Sequence, residues 1–548
     1  MKIYEALAKA FHHENLGPCF ALLGDANMHW AGELSTLGTR FIYTRHEHAA
    51  VAAATSYARA SGKVGFATVT CGPGLTQIMT ILPIAVRAKL PLVIFAGEAP
   101  LNKDWYNQKI EQKPFVEACG AKYKALHNPN TMIEGVHEAV DIAKQERCPV
   151  VVGVPFDLQK LDWQGDIDFT KLKPAAVSPP RIAPEPDLVT LAASWITQAK
   201  RPVVLAGLGA VSQDARAACL NLAKTSGALV ATTLPAKGLF HDQDYCLGVA
   251  GGYSSEKAKQ IFTQADLVIA VGSRLASHTF DGGKLTPHAK VVHIDIDPQE
   301  QVQGRKAADL LIKADAVSGV NAVIDSLTGH NIINWRSEDM KVKAAAALVL
   351  PETANATDGY LHPLGVIREL DRLIPPTCHI INTSGHCAYF TAQMNKHPQD
   401  HFTVIRDFGA IGNGTSFALG IAELYPERPI VLIDGDGSAL MHIQELETMR
   451  RHNLHILTIV LNDGGYGSEI HKLRADNVPL HGAIFGRPDF AAIGRGFGLR
   501  GDTFTDIKEL EDSLTEFLRM GEPAIWDIHI SNQVASPQIL SAHQQNHK

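Results

Sequence analysis

Short aliphatic runs recur along the 548-residue chain, each closed by a turn rich in Gly, Asp or Pro and followed by a stretch with apolar positions at helical spacing. A run apolar at every position fits a strand covered on both faces, and strands that alternate with helices build parallel sheets. The runs fall into three blocks. The first holds CFALLG, RFIYTRHE, VGFATVTCG, PLVIFAG and PVVVGVPFD; the second RPVVLAG, ALVATTL, LVIAVG and VVHIDIDP; the third HIINTSG, FTVIRDFG, IVLIDGDG, ILTIVLND and AIWDIHI. KLKPAAVSPPRIAPEPD predicts a linker after the first block, and KVKAAAALVLPETANATDG a helical connector before the third. The expected division is 1–172, 181–340 and 355–535, three α/β domains each with a doubly wound parallel sheet, and a polar, loosely held tail over 536–548.

The first and third blocks share one plan. RFIYTRHEHAAVAAATSYARASGKVGFATVTCGPGLTQI runs strand, polar turn, small-residue helix, strand, Gly-rich turn and helix, and HFTVIRDFGAIGNGTSFALGIAELYPERPIVLIDGDGSALMHI runs the same. Open α/β sheets bind ligands beyond the carboxyl ends of their strands, so each copy offers a site there. One copy presents Glu47; the other presents Asp436 and Asp463.

Composition narrows the function class. Hydrophobic residues make up 45% and charged residues 20%, as in an ordinary globular protein, and a net charge of −7 argues against a nucleic-acid surface. No apolar run reaches the roughly 18 residues a membrane span needs, and MKIYEALAKAFHHENLG reads as a surface helix and not a signal peptide. Eight cysteines without a CxxC pair suit a reduced, cytoplasmic protein.

The candidate chemistry lies in VLIDGDGSALMHIQELETMRRHNLHILTIVLNDGGYG. A carboxylate at a strand end, flanked by Gly435 and Gly437, lets backbone approach a ligand, and the amides of the following helix start favour an anion. Magnesium commonly joins one or two carboxylates to phosphate oxygens, so Asp436 and Asp463 with a backbone carbonyl predict a metal–phosphate site. Taken alone, GDGS can be only a turn; followed across a helix and a strand by NDGGYG, it points to a site.

GDG, a short spacer, then ND resembles the signature of thiamine-diphosphate-dependent enzymes of the acetolactate synthase and pyruvate decarboxylase superfamily, and the resemblance runs over nearly the whole chain. It implies a pyrimidine-binding, a central and a diphosphate-binding domain, with Asp436, Asp463 and the Gly465 carbonyl as magnesium ligands. Asp463 stands where many members have Asn. The resemblance further implies that Glu47, in YTRHEHAAVAAA, hydrogen-bonds the cofactor pyrimidine and drives its tautomerism. Ile411 corresponds to the apolar wedge that bends the cofactor, Gly409 to a carbonyl near its amino group, and Gly385, His386 and Cys387 to the loop over the diphosphate. Gly435, Gly437, Ser438 and Tyr466 complete the expected cofactor contacts.

The reaction is less determined. LLGDANM places Asp25 where decarboxylases carry an active-site Asp, and GYGSEIH places Glu469 where they carry a product-releasing Glu, yet each also fits a local turn or helix start. The adjacent histidines of the decarboxylases are absent: Asn107 and Gln108 stand there, and Glu111 occupies the position of a synthase Gln. With Asn27 and Thr70, these three form the expected substrate contacts. The central block has GLGAVS in place of a dinucleotide fingerprint, so flavin is not expected. The first expectation is decarboxylation of a 2-oxo acid with ligation to an aldehyde or ketone acceptor. A simple 2-oxo-acid decarboxylase and a non-catalytic cofactor-binding homologue stay open. The resemblance also implies a homodimer or homotetramer with shared sites, and the small-residue helices AAVAAATSYARA and GTSFALGIA are compatible with close packing between chains.

Overall fold

The computed structural model describes residues 1–164, 166–172, 181–354 and 356–539. Residues 173–180 of the expected linker, position 355 of the connector and 540–548 of the expected tail lie outside the described residues. Three six-stranded parallel sheets stand in succession, built from strands within 19–155, 202–313 and 379–529. Counted in chain order within each sheet, the strands of the first and third lie 2-1-3-4-6-5, so the sequence repeat is a repeat of topology. The central sheet lies 6-5-4-1-2-3, the order of doubly wound nucleotide-binding folds.

The aliphatic runs become strands because both faces are covered: Leu92–Glu98, Pro149–Pro155, Ile430–Gly435 and Ile456–Asn462 are buried along almost their whole length. Within the three large sheets the strands that the hydrophobic pattern missed are Lys122–Ala125, Cys246–Val249, Leu310–Lys313 and Arg500–Phe504, and every one is a sheet edge; it also missed the small hairpin of Gln301–Val302 and Arg305–Lys306. No helix among the described residues is long and apolar enough to cross a membrane. The end of the chain is less loose than its polarity suggests up to residue 539: Ser536 and Ile539 are buried, and the Ser536 amide donates to His386 Nε2 at 3.0 Å.

The two small-residue helices, Glu47–Ser61 and Gly414–Leu424, pack on each other within one chain, so this pair is not the contact between chains for which it looked suited. Their backbones touch: a Cβ on Gly420 would fall 2.0 Å from the Ala53 carbonyl oxygen, and Ser56 Oγ donates to Phe417 O at 2.8 Å. Ion pairs extend this contact. Arg59 and Arg274 both reach Asp407, at 2.9 and 3.3 Å, tying the first and central domains to the third.

Candidate functional site

Strand Ile430–Gly435 pairs with Ile456–Asn462 on one side and His379–Asn382 on the other, so three strand ends converge at the carboxyl edge of the third sheet. A cavity of about 450 Å³ opens there. It is lined by every site residue expected from the third domain except Gly409: Gly385, His386, Cys387, Ile411, Gly435, Asp436, Gly437, Ser438, Asp463, Gly465, Tyr466 and Glu469. Gly409 lies in the adjoining turn with φ +76°, a conformation that favours glycine.

Asp436 is buried, and its carboxylate accepts amide protons from Gly437 (2.7 Å), Gly464 (2.7 Å) and Gly465 (3.1 Å). Asp463 is also buried and accepts from the Gly465 amide at 3.3 Å. Burial raises both carboxyl pKa values, and the charge of Asp436 raises that of Asp463 further. Among the described residues no Lys or Arg pairs with either carboxylate; His386 Nδ1 is 4.0 Å from Asp463 Oδ2. Two desolvated carboxylates without a cation call for one, or for protons. No group of three His, Cys, Asp or Glu side chains suited to a metal occurs among the described residues. An octahedral ion here would therefore rely on the carbonyl of Gly465, which accepts no backbone hydrogen bond among the described residues, and on oxygens of its ligand. That donor set is hard oxygen throughout and fits magnesium.

The anion seat is crowded against backbone. A Cβ on Gly437 would fall 2.6 Å from the Tyr466 ring, and one on Gly467 would fall 2.5 Å from Asp463 Oδ2. Gly385, at φ +98°, caps the helix His386–Thr391, whose first residues line the cavity. Because His386 Nε2 accepts from the Ser536 amide, its proton sits on Nδ1, and burial lowers its pKa to about 3, so the ring stays neutral. Cys387 is buried and its thiol pushed well up. Ser438, an expected cofactor contact, has its hydroxyl engaged within the fold: it donates to Asp434 Oδ2 (2.9 Å) and accepts from the Gly412 amide (2.8 Å). The sequence reading passed over two neighbours. Asp434, inside IDGDG, is buried, pushed up to about 6, and also accepts from Thr383 Oγ1 at 2.8 Å; Ser384 has a buried hydroxyl without a partner. An acidic residue inside an aliphatic strand was the available signal for Asp434; Ser384 gave none.

No first-domain residue lines this cavity. Glu47 begins its helix, half-buried, with its pKa raised by desolvation. Its Oε1 lies 3.4 Å from where a Cβ on Gly74 would stand, and the Thr70 methyl packs against the same point, while the buried Thr70 Oγ1 lies on the side of Gly24. Asp25 is exposed in its turn. Asn27, an expected substrate contact, is fully buried, and its amide is engaged by the fold: it accepts from Gly24 N (2.8 Å) and donates both protons, to Leu22 O and Thr68 Oγ1 (3.0 Å each). Asn107 and Glu111 are exposed, while Gln108 accepts the Cys71 thiol at 3.3 Å. The residue overlooked in this segment is Gln112, which is buried, accepts from Gly72 N (2.9 Å) and donates to Gly97 O (3.0 Å), so it braces the CGPG turn. Glu469 is half-exposed and lies 3.6 Å from Lys472.

Comparison with known proteins agrees with this geometry. Three family models match in succession: the N-terminal TPP binding domain of thiamine pyrophosphate enzymes over residues 1–115, the central domain over 189–323 and the C-terminal TPP binding domain over 383–528. Among curated proteins, a probable acetolactate synthase large subunit of Methanocaldococcus jannaschii is 28% identical over 98% of this chain and 93% of its own. An acetolactate synthase large subunit of Parasynechococcus marenigrum is 29% identical over 90% and 81%. The acetolactate synthase isozyme 2 large subunit of Escherichia coli is 27% identical over 95% and 94%. With all three of its domains matched in order and the cavity at the sheet edge where that family binds its diphosphate, the chain belongs to the thiamine-diphosphate-dependent enzymes.

Proposed function

We propose that this chain decarboxylates a 2-oxo acid with thiamine diphosphate and magnesium and joins the acyl fragment to a second carbonyl, the reaction type in the names of its acetolactate synthase relatives. The observation that carries the reading is the single cavity that gathers two buried, cation-less carboxylates with the glycine-rich turns around them. When bound, thiamine diphosphate supplies a nucleophilic ring carbon and an electron sink for decarboxylation.

The chain's own residues bind and orient around it. Asp436, Asp463 and the Gly465 carbonyl hold magnesium, and the amides at the starts of His386–Thr391 and Asp436–Met441 receive the diphosphate. Ile411 fills the bend of the cofactor. Glu47 holds a proton at the pyrimidine, and its burial strengthens that hydrogen bond by excluding competing water. Thr70, whose buried hydroxyl lies on the side of Gly24, is the donor proposed for the substrate side.

Glu47 does not line the cavity of its own chain, which supports the reading that a second copy supplies it, in a homodimer or homotetramer with shared sites. Trp105, Met441 and Phe485 are exposed apolar side chains suited to such contacts. All eight thiols are free, in keeping with a cytoplasmic setting. Incubating the enzyme with a panel of 2-oxo acids, with and without aldehyde or ketone acceptors, and weighing the products by mass spectrometry tests the reading. Ligated hydroxyketones are expected. Free aldehyde as the sole product would make it a decarboxylase, and bound cofactor with no carbon dioxide released would make it non-catalytic.

A further inference from the structure

His48, immediately after Glu47, is turned away from the first domain and into the third. Its Nε2 lies 2.6 Å from Asn413 Oδ1, and because Asn413 Nδ2 donates to Ala410 O at 3.1 Å, the amide is oriented so that the histidine donates. His442 stacks on His48, with ring centroids 4.7 Å apart, and its Nδ1 donates to Gly412 O at 2.7 Å. The Gly412 amide in turn donates to Ser438 Oγ at 2.8 Å. Residues 410–413 are thus held from outside by three of these hydrogen bonds, and among the described residues His48 alone supplies one from the first domain. The loop cannot settle elsewhere cheaply: Gly412 has φ +90°, and a Cβ there would sit 2.9 Å from Met441 Cβ. This loop carries Ile411, and the helix that His48 belongs to starts at Glu47.

We infer that His48 is a positioning residue: by donating to Asn413 it holds the loop that carries Ile411, beside the cavity of its own chain, against the first domain. The inference rests on the cofactor reading above and names a residue for which that reading has no role. A neutral donor is all the geometry requires, so Gln can replace His48 and Leu cannot.

Three variants separate positioning from general packing. His48→Leu removes the bond, His48→Gln keeps a donor, and Ser56→Ala removes the Ser56–Phe417 hydrogen bond of the same helix contact away from the loop. Backbone amide exchange of the cofactor-free protein, read by mass spectrometry on peptides covering 405–414, is expected to quicken about tenfold in His48→Leu alone. Hydrogen–deuterium exchange at the reactive carbon of bound thiamine diphosphate is expected to slow about tenfold in the same variant, with the His48→Gln protein close to the parent. Unchanged amide exchange in His48→Leu, or equal changes in Ser56→Ala, overturns the inference while leaving the cofactor reading standing. A parent protein that binds no thiamine diphosphate overturns both.

Discussion

In the proposed site two carboxylates separated in sequence by 389 positions, Glu47 and Asp436, carry opposite ends of the chemistry, and neutralising each has a different expected outcome. Glu47→Gln keeps the shape and a hydrogen bond but not the proton transfer. Thiamine diphosphate should still bind within a few-fold of the parent affinity, while proton exchange at its reactive carbon falls by about 10² or more. Asp436→Ala removes the acceptor of three amide protons together with a proposed metal ligand. Titration calorimetry with magnesium present should show an affinity loss beyond the roughly 10–100-fold typical of changes around a metal's outer shell. A Glu47→Gln protein that exchanges as fast as the parent would remove that residue from the chemistry. Both residues were legible because each sits in a short motif whose glycines and spacing have few other uses. Ser384 and Gln112 were not, since a hydroxyl or amide in a loop acquires its meaning only from what the fold places opposite it.

Among the elements, the crossing of Glu47–Ser61 on Gly414–Leu424 sets how closely the first and third domains meet. Gly420→Ala should cost about 1–3 kcal/mol in urea denaturation, because its new methyl meets the Ala53 carbonyl oxygen and neither backbone can retreat without opening the contact. An exposed helical glycine changed the same way would gain up to about 1 kcal/mol. The helix Glu445–Arg451 docks on the same boundary through Glu445, which is fully buried and accepts from Arg45 N at 3.1 Å and from Thr448 Oγ1 at 2.7 Å. Burial lifts its pKa from 4.5 to about 7. A carboxyl raised by folding binds more protons folded than unfolded across that window, so its contribution is present below about 4.5 and is lost as pH rises through 7. Relative to the parent, Glu445→Gln should therefore gain melting temperature steadily between pH 5 and 8. A constant difference would show that Glu445 does not titrate there. The missed strands teach a related lesson, since Lys122–Ala125 and Arg500–Phe504 are half-solvated sheet edges. Their polar residues satisfy water on one side and leave no continuous apolar signal.

For the molecule as a whole, the decisive question is which Glu47 meets which cavity. An inactive Glu47→Gln chain mixed with an inactive Asp436→Ala chain should regain activity, since a hybrid dimer with shared sites holds one site with both residues intact. Hybrids verified by native mass spectrometry that stay inactive would refute the shared site.

The chain's own pattern of aliphatic runs and glycine turns determined three α/β domains, the repeat of the first in the third, and the two carboxylates that line the third domain's cavity. These are local properties: a buried strand must be apolar along its length, and a turn that lets backbone reach an anion must carry glycine. Tertiary structure alone decided that the small-residue helices close on each other inside one chain, that Asn27 serves its own turn, and that His48 reaches across to Asn413. Each of these depends on the distance and direction between segments far apart in sequence. Side-chain type states what a group can bond, whereas the packed fold selects the partner.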